Sequence, residues 1–367
     1  MTFYSIKILR DQPLRLALTI GGIAFCIVLM LFLLSVYFGV KEGSVEYIRS
    51  NRADLWVLQR NAWNILRGSS ILSTSYENKL EHIPGIQQAS PILLLLTGIK
   101  VKDSDVTVFL TGYDIKKPFG GPPSIIEGRS LQKDDEIILD YSFAKKYNYK
   151  SGDEVKIQDN SYTVVGLSEG TNALVIQYAF VTLNDAQSLI GFPGIVTCFA
   201  IKIEDENKVN RISEVIRNTI PGVEVYSHQT FLDNNIKEME TGFLPFLLII
   251  AVLGTVVLTI VLSLLLTINI IERRKDFAIL KVIGSPSGFL PRLVIGQAML
   301  ISSAACITAL IIFFPVVALT ESILPELSTK TSPEQVLTIT CVVWIVSLFS
   351  SLFSSHRIKR IYPLEVF

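Results

Sequence analysis

The chain has 367 residues, of which 50% are hydrophobic and 18% charged, and a mean hydropathy of +0.46, more apolar than the core of a soluble domain of this size requires. Its 33 basic and 33 acidic residues cancel, which leaves no basic footprint for nucleic acid. Cys26, Cys198, Cys306 and Cys341 are too few and too scattered for a disulfide framework or a thiolate metal cluster.

The apolar excess is concentrated in four blocks without an ionisable side chain: Leu16 to Val40, Thr241 to Ile271, Leu293 to Thr320 and Gln335 to Ser355. Each reaches the roughly 20 residues that a helix needs to cross about 30 Å of hydrocarbon, so four spans in contact with membrane lipid are expected. Lys7, Arg10 and Arg15 ahead of the first block also suit a signal peptide. The block is too long for one and lacks a small-residue cleavage pattern, so it reads as a retained anchor. Basic residues flank the spans unevenly. Arg273, Arg274, Lys275, Lys281 and Arg292 lie between spans two and three, and Arg357, Lys359 and Arg360 follow span four, whereas the loop between spans three and four carries Glu321, Glu326 and Glu334 against Lys330. The positive-inside rule then places both termini and the second loop in the cytoplasm.

The expected fold class is therefore an α-helical membrane protein with one plus three spans and a large α+β extracytoplasmic domain of two lobes. Residues 1–41 hold the N-terminus and first span, 42–240 the outer domain, and 241–367 a three-helix domain whose cytoplasmic loop covers 272–292. Within the outer domain two segments look alike. Ala53 to Gln59 reads as a strand, a helical stretch runs to His82, Ile83-Pro84-Gly85-Ile86 turns, and a strand follows from Pro91. Ile195 to Ile203 reads as a strand, Asn207 to Thr219 as an amphipathic helix with Val209, Ile212, Val215 and Ile216 inward, and Ile220-Pro221-Gly222-Val223 turns into another strand. Pro-Gly turns after helices are common in their own right. As a repeat, the two units would form a membrane-proximal lobe from about 42–102 and 185–240, with a mostly β lobe, about 103–184, inserted between them. There Glu136 to Asp140 predicts a strand, Tyr141 to Tyr147 a helix, and Val155 to Gln158 with Tyr162 to Leu167 a hairpin across Asp159-Asn160. Tyr226 to Met239 predicts a helix running into span two, and Lys41 to Asn51 prolongs span one outward.

Few residues look chemical. Gly166-Leu167-Ser168-Glu169-Gly170 matches the nucleophile-elbow pattern, but a strand follows it where a helix is needed, so a plain turn is the better reading. His82, His228 and His356 are scattered without partners at ligand spacing and read as surface residues, and no metal site is expected. No Gly-x-x-x-x-Gly-Lys-Ser/Thr occurs, so if ATP is used, another polypeptide binds it. Spans without ionisable groups disfavour an ion-coupled carrier and a channel. The sharpest feature is the loop Glu272 to Gly284, a short amphipathic helix with Phe277, Leu280, Ile283 and Gly284 on one side, capped by Gly284 and stopped by Pro286. It suits either an interfacial helix or a knob for a groove in a cytosolic partner.

Here the sequence resembles the FtsX/MacB-type permeases of ABC systems over nearly its whole length. The resemblance rests on the span order, on Glu272 to Gly284 against the family's Glu-Arg-Arg-x-Glu-x-x-x-Leu-Arg-Ala-x-Gly signature, and on Glu127-Gly128-Arg129, Glu136-Ile137-Ile138-Leu139, Gly152-Asp153-Glu154-Val155 and Tyr162-Thr163-Val164-Val165-Gly166. It implies a non-enzymatic subunit, paired with a second permease chain around a cytosolic ABC ATPase that binds ATP and Mg. Glu272, Arg273, Arg274, Asp276, Phe277, Leu280 and Gly284 would form the ATPase-coupling loop. It also implies an outer domain that moves with ATP binding in the cell inner membrane, either for efflux or extraction of an amphiphile or for mechanotransmission to periplasmic partners. Asp276 and Lys281-Val282 depart mildly from the signature, and Gln297 stands where relatives often carry an acid. Ala53-Asp54-Leu55-Trp56-Val57-Leu58-Gln59 looks most like the DevC branch, which implies a membrane-fusion adaptor and an outer-membrane duct. The alternative from the residues alone is a membrane-anchored scaffold, with a hydrolase centred on Ser168 a distant third. Trp56, Trp63 and Phe119 are candidate contacts of the outer surface, though burial is the commoner fate of large aromatics.

Overall fold

The structure, a computed structural model, describes residues 13–65, 70–102, 104–173, 176–242, 244–272, 279, 283, 286, 289–324, 329 and 331–359. The chain forms two compact units, one from Met1–Phe38, Pro245–Thr320 and Thr329–Phe367, the other from Gly39–Leu244 with Glu321–Ser328.

The first unit is helical. Helix α1 runs Pro13–Ser50, and three further long helices, α7 (Leu244–Glu272), α8 (Phe289–Ile323) and α9 (Pro333–Lys359), complete it. Apolar residues surround each helix instead of forming a single stripe, the mark of a helix solvated by lipid. Each is long and apolar enough to cross a membrane. Where they meet, small residues of α8 (Ala298, Ala305, Ala309) let Ile23, Ile27 and Leu31 of α1, Leu258 and Leu262 of α7 and Val343 of α9 close on them without exposure. Hydroxyls return their hydrogen bonds to the preceding turn, as Thr259 does to the Thr255 carbonyl at 2.8 Å, because hydrocarbon offers no other acceptor.

The second unit is built on one extended sheet, in the order β13-β1-β12-β3-β4-β10-β6-β8-β5. The strands of the unit are β1 (Leu55–Gln59), β2 (Leu72–Ser73), β3 (Ile86–Val101), β4 (Ser104–Tyr113), β5 (Ser124–Gly128), β6 (Glu136–Asp140), β7 (Glu154–Ile157), β8 (Asn160–Glu169), β9 (Asn172–Ala173), β10 (Ile176–Thr182), β11 (Ile195–Val196), β12 (Cys198–Ile203) and β13 (Val223–Ser227), of which β2 and β11 pair with each other apart from that sheet. Its helices are α2 (Tyr76–Glu81), α3 (Tyr141–Tyr147), α4 (Leu183–Ile190), α5 (Val209–Thr219) and α6 (His228–Thr241).

The two similar segments are related by a pseudo-two-fold axis between β1 and β12. Exchanging β1-α2-β3 with β12-α5-β13 reverses the order β13-β1-β12-β3 onto itself, and each adjacent pair is antiparallel. The symmetry reaches single hydrogen bonds: Arg60 N, just past β1, donates to Gly222 O at 2.8 Å, and Glu204 N, just past β12, donates to Gly85 O at 3.0 Å. Gly85 and Gly222 have φ of +95° and +82°, a region that costs an L side chain energy, so both Ile-Pro-Gly turns are required by geometry. In α5, Ile212 and Ile216 are buried, but Val215 is 37% exposed and Ser213 is buried in its stead. The inward stripe follows the i, i+4 row, and Val215 lies about 100° away from Ile216.

The remaining strands close on themselves. β3 pairs with β4, β4 with β10, β10 with β6, β6 with β8, β8 with β7, and β7 returns to β3 at Ile99↔Ile157. Closure leaves no open edge along this ladder. Ile99, Leu110, Ile137, Leu139, Ile157, Val164, Ala179 and Val181 fill the inside with no exposure above 1%, and the alternate residues Ile138, Tyr178 and Phe180 face a second core outside it. The β7–β8 hairpin turns at Gln158-Asp159, with Gln158 at φ +53° and Asn160 already opposite Ile157. That is one residue earlier than the sequence suggested, and it keeps Val155 and Ile157 facing inward.

Gly128 and Gly166, the small residues of the Glu-Gly-Arg and Val-Val-Gly segments, lie where β5 crosses β8. A Cβ on Gly128, at φ +80°, would meet the Val165 carbonyl, and one on Gly166 would stand 2.5 Å from Arg129 O. Gly152 has φ +98° but open space around it. Gly152→Ala is therefore expected to cost about 1 kcal/mol and Gly128→Ala about 3 kcal/mol or more, measured as unfolding free energies of the two variants against the parent chain.

Candidate functional site

The loop after α7 is described in part. Glu272 ends α7 and is exposed. Ile283 N donates to Ile279 O at 3.0 Å, the spacing of one α-helical turn, and Phe289 N to Pro286 O at 2.8 Å as α8 begins. Ile279 and Ile283 are 44% and 77% exposed, an apolar ridge one turn long. Arg273, Arg274, Asp276, Phe277, Leu280 and Gly284 lie outside the described residues.

The outer unit shows how the helices adjoining the first two spans are held. The last turns of α1 enter its core: Val45, Tyr47 and Ile48 are fully buried. The Tyr47 ring stacks on Tyr178 with centroids 5.1 Å apart, and its hydroxyl donates to Gly120 O at 3.0 Å. Asn51 Oδ1 accepts from Gly120 N at 2.7 Å, while its Nδ2 donates to Tyr47 O at 2.8 Å. Gly120 has φ +107°, and a Cβ there would come within 2.6 Å of Tyr113 Cβ. On α6, Phe231 stacks on Trp56 at 4.9 Å, and Asn235 Oδ1 accepts from Ile65 N at 3.1 Å. Lys41 Nζ of α1 donates to Glu240 Oε1 of α6 at 2.6 Å. α1 is continuous to Ser50, as the sequence suggested. α6 is not continuous with α7: it ends at Thr241, and Gly242, with φ −90° and ψ −95°, breaks the helix. The stretch begun at Tyr226 also starts as strand, because Tyr226 still pairs with Trp56.

Trp56 and Phe119 are core residues, and Trp63 is partly buried. Sequence reasoning missed Tyr47, Asn51 and Asn235. Each is a polar residue at a helix end or on a helix face, and nothing in one-dimensional spacing distinguishes a buried amide from a solvated one.

Ser168 is a residue of β8 with no exposure. Its hydroxyl donates to Leu139 O at 3.3 Å and contacts Thr171 Oγ1 at 2.9 Å. Thr171 donates to Asp140 Oδ2 at 2.6 Å. Asp140 Oδ1 caps α3 through Ser142 N and Phe143 N, and burial pushes its carboxyl up against the effect of those bonds. The chain of bonds ties a strand to a helix start and exposes no nucleophile. His82 is exposed, with Nδ1 2.6 Å from Asn78 O. His228, read as a surface residue, is partly buried beneath β1.

The Glu-Gly-Arg segment makes an ion pair. Arg129 Nη1 and Nη2 donate to Glu136 Oε2 and Oε1 at 2.9 and 2.6 Å, and Gln132 N adds 2.8 Å to Oε2. Glu136 is 2% exposed, and the Arg129 guanidinium holds its carboxyl down to about 2. A depressed carboxyl contributes stability above its unfolded value, 4.5, that is lost as pH falls to about 2. The difference in unfolding midpoint between the parent chain and Glu136→Gln is thus expected to shrink over that window. At neutral pH, Asn51→Ala, which strands Gly120 N in the core, is expected to cost about 2 kcal/mol and Tyr47→Phe about 1 kcal/mol, both measured by chemical denaturation.

Comparison with known proteins fits this geometry. The MacB-like periplasmic core domain family matches residues 16–219, more than half of the chain, and the FtsX-like permease C-terminal family matches residues 248–363. An uncharacterized ABC transporter permease of Mycobacterium tuberculosis is 22% identical over 100% of this chain and 99% of its own. A protein named for a hemin transport system, HrtB of Staphylococcus haemolyticus, is 25% identical over 92% of this chain and 91% of its own. The crystal structure of the periplasmic region of MacB from Actinobacillus actinomycetemcomitans superposes on 54% of this chain and 98% of that one, with a TM-score of 0.39 and 16% identity. With its four apolar helices and a MacB-like domain between the first and second of them, the chain belongs to the MacB/FtsX family of ABC transporter permeases.

Proposed function

We propose that this chain is the membrane subunit through which a separate cytosolic ATPase, holding ATP and Mg, moves an outer domain to export or extract an amphiphile. The observation that carries this reading is the way the outer unit grips both helices next to the spans. α1 is gripped through Tyr47 and Asn51, α6 through Phe231 and Asn235, and the two are joined by the Lys41–Glu240 pair. An ion pair with 30% and 42% exposed side chains is worth at most about 1 kcal/mol. The aromatic and amide anchors therefore carry any load, and the pair sets alignment.

In this reading Glu272, Arg273, Arg274, Asp276, Phe277, Leu280 and Gly284 form the cytoplasmic coupling loop, with both termini on the same side. The exposed Ile279 and Ile283 supply the apolar ridge that a groove in a partner would bury. Two permease chains, like or unlike, pair around the ATPases. The hemin of the staphylococcal relative's name is an amphiphile, in keeping with the class proposed here. An adaptor and an outer-membrane duct would extend the path as in the DevC branch.

Purification of the full chain from its native membranes in mild detergent is expected to bring down a nucleotide-binding subunit. A Leu280→Glu, Gly284→Trp double variant is expected to lose at least about tenfold of it, as removal of interface anchors does. If a folded parent chain recovers no such subunit, the coupling reading fails and a membrane-anchored scaffold replaces it.

A further inference from the structure

His228 is the first residue of α6, and its Nδ1 accepts the indole hydrogen of Trp56 Nε1 at 3.4 Å. Trp56 is fully buried, and an indole nitrogen can only donate. Nδ1 can accept only while the imidazole is neutral with its proton on Nε2. The same turn is held by His228 N donating to Asp54 O at 3.1 Å, by Ser227 Oγ accepting from Thr230 N at 3.3 Å, and by Phe231 stacked on the Trp56 ring. The indole bond is the one among these that a proton on the imidazole abolishes.

We propose that His228 is an acid-sensitive latch: neutral, it pins the first turn of α6 to β1, and protonated, it turns an N–H toward the Trp56 N–H and frees that turn. Two effects act in the same direction. A cation at a helix N-terminus opposes the helix dipole, and burial disfavours the charged ring, holding His228 below the ordinary histidine range. The surrounding charges do not reverse them. The Ala53 carbonyl and Asp54, both just before β1, favour the cation but less than burial opposes it, and the Asp54 carboxylate is already engaged by Lys202 Nζ of β12 at 3.0 Å and Ile203 N at 2.9 Å. On β13, Glu224 faces Arg217 at 3.7 Å, and the Tyr226 phenol donates to Ala62 O at 3.2 Å. On α6 itself, Asp233 accepts from Gln229 at 3.0 Å. Arg52, in the turn between α1 and β1, is exposed. Because the fold favours the neutral ring, the latch is complete above the unfolded value of 6.5 and weakens as pH falls below it.

The test is amide hydrogen exchange of the full chain in lipid nanodiscs, followed by mass spectrometry of peptides spanning Tyr226 to Asn235, at about pH 7.5 and about pH 5 with intrinsic rates corrected. Protection of the first turn of α6 is expected to fall about tenfold at the lower pH, as for the loss of one buried hydrogen bond, while peptides from β6 stay unchanged. His228→Asn keeps an acceptor near the Nδ1 position and does not titrate, so its protection is expected to be the same at both pH values. Trp56→Phe keeps the stacked ring without the donor, and is expected to show the acid level of protection already at neutral pH. A change below about twofold in the parent chain, an equal fall in His228→Asn, or a full acid response in Trp56→Phe each overturns the latch, twofold being too small a free-energy difference to release a turn.

Discussion

One edge of β3 is given first to β12, from Ile86 to Ile92, and then to β7, at Ile99 and Lys100, while its other edge pairs with β4 from Ile92 to Val101. A strand that serves two lobes in sequence cannot bend freely between them, because each backbone hydrogen bond fixes the twist of the next. The pseudo-symmetric α/β lobe and the closed ladder are in this way parts of one sheet. The strands β1, β6, β10 and β12 are buried on both faces over nearly their whole length, and they show little of the alternation of a half-solvated sheet.

The core between these faces is where the two terminal helices of the unit are anchored. Tyr47, Trp56, Tyr178, Phe180 and Phe231 pack there beside Gly120 and Asn51. Rings of this size leave few voids, and a close-packed interior transmits displacement instead of absorbing it. The break at Gly242 contrasts with the unbroken α1. One of the two gripped helices runs unbroken to Ser50 from Pro13, and the other ends at Thr241. The proposed coupling would act through both helices, with His228 fastening the first turn of α6.

The candidate chemistry of the outer unit is structural throughout. Ser168, Thr171 and Asp140 join a strand to a helix cap, and Arg129 with Glu136 neutralises a carboxylate that the fold has desolvated. Removing Arg129 is costly because Glu136 is left buried and charged. The Glu-Gly-Arg and Val-Val-Gly segments thus mark a backbone crossing where only glycine fits, with an ion pair closing over it.

The sequence by itself determined the four spans and their order, since runs of apolar residues longer than a bilayer is thick leave no other use for them. It determined the Ile-Pro-Gly turns, the Glu136–Asp140 strand and the short helix after it, because proline, glycine and a capping aspartate act on their immediate neighbours. The pairing of β3 with β7, the closure of the ladder, the ring of contacts around Gly120 and the Trp56–His228 bond were decided only by the tertiary structure. Each joins residues far apart in the chain, Trp56 and His228 by 172 positions. Whether a histidine or an asparagine is buried or solvated depends on which distant strand comes to cover it, and local spacing carries no record of that.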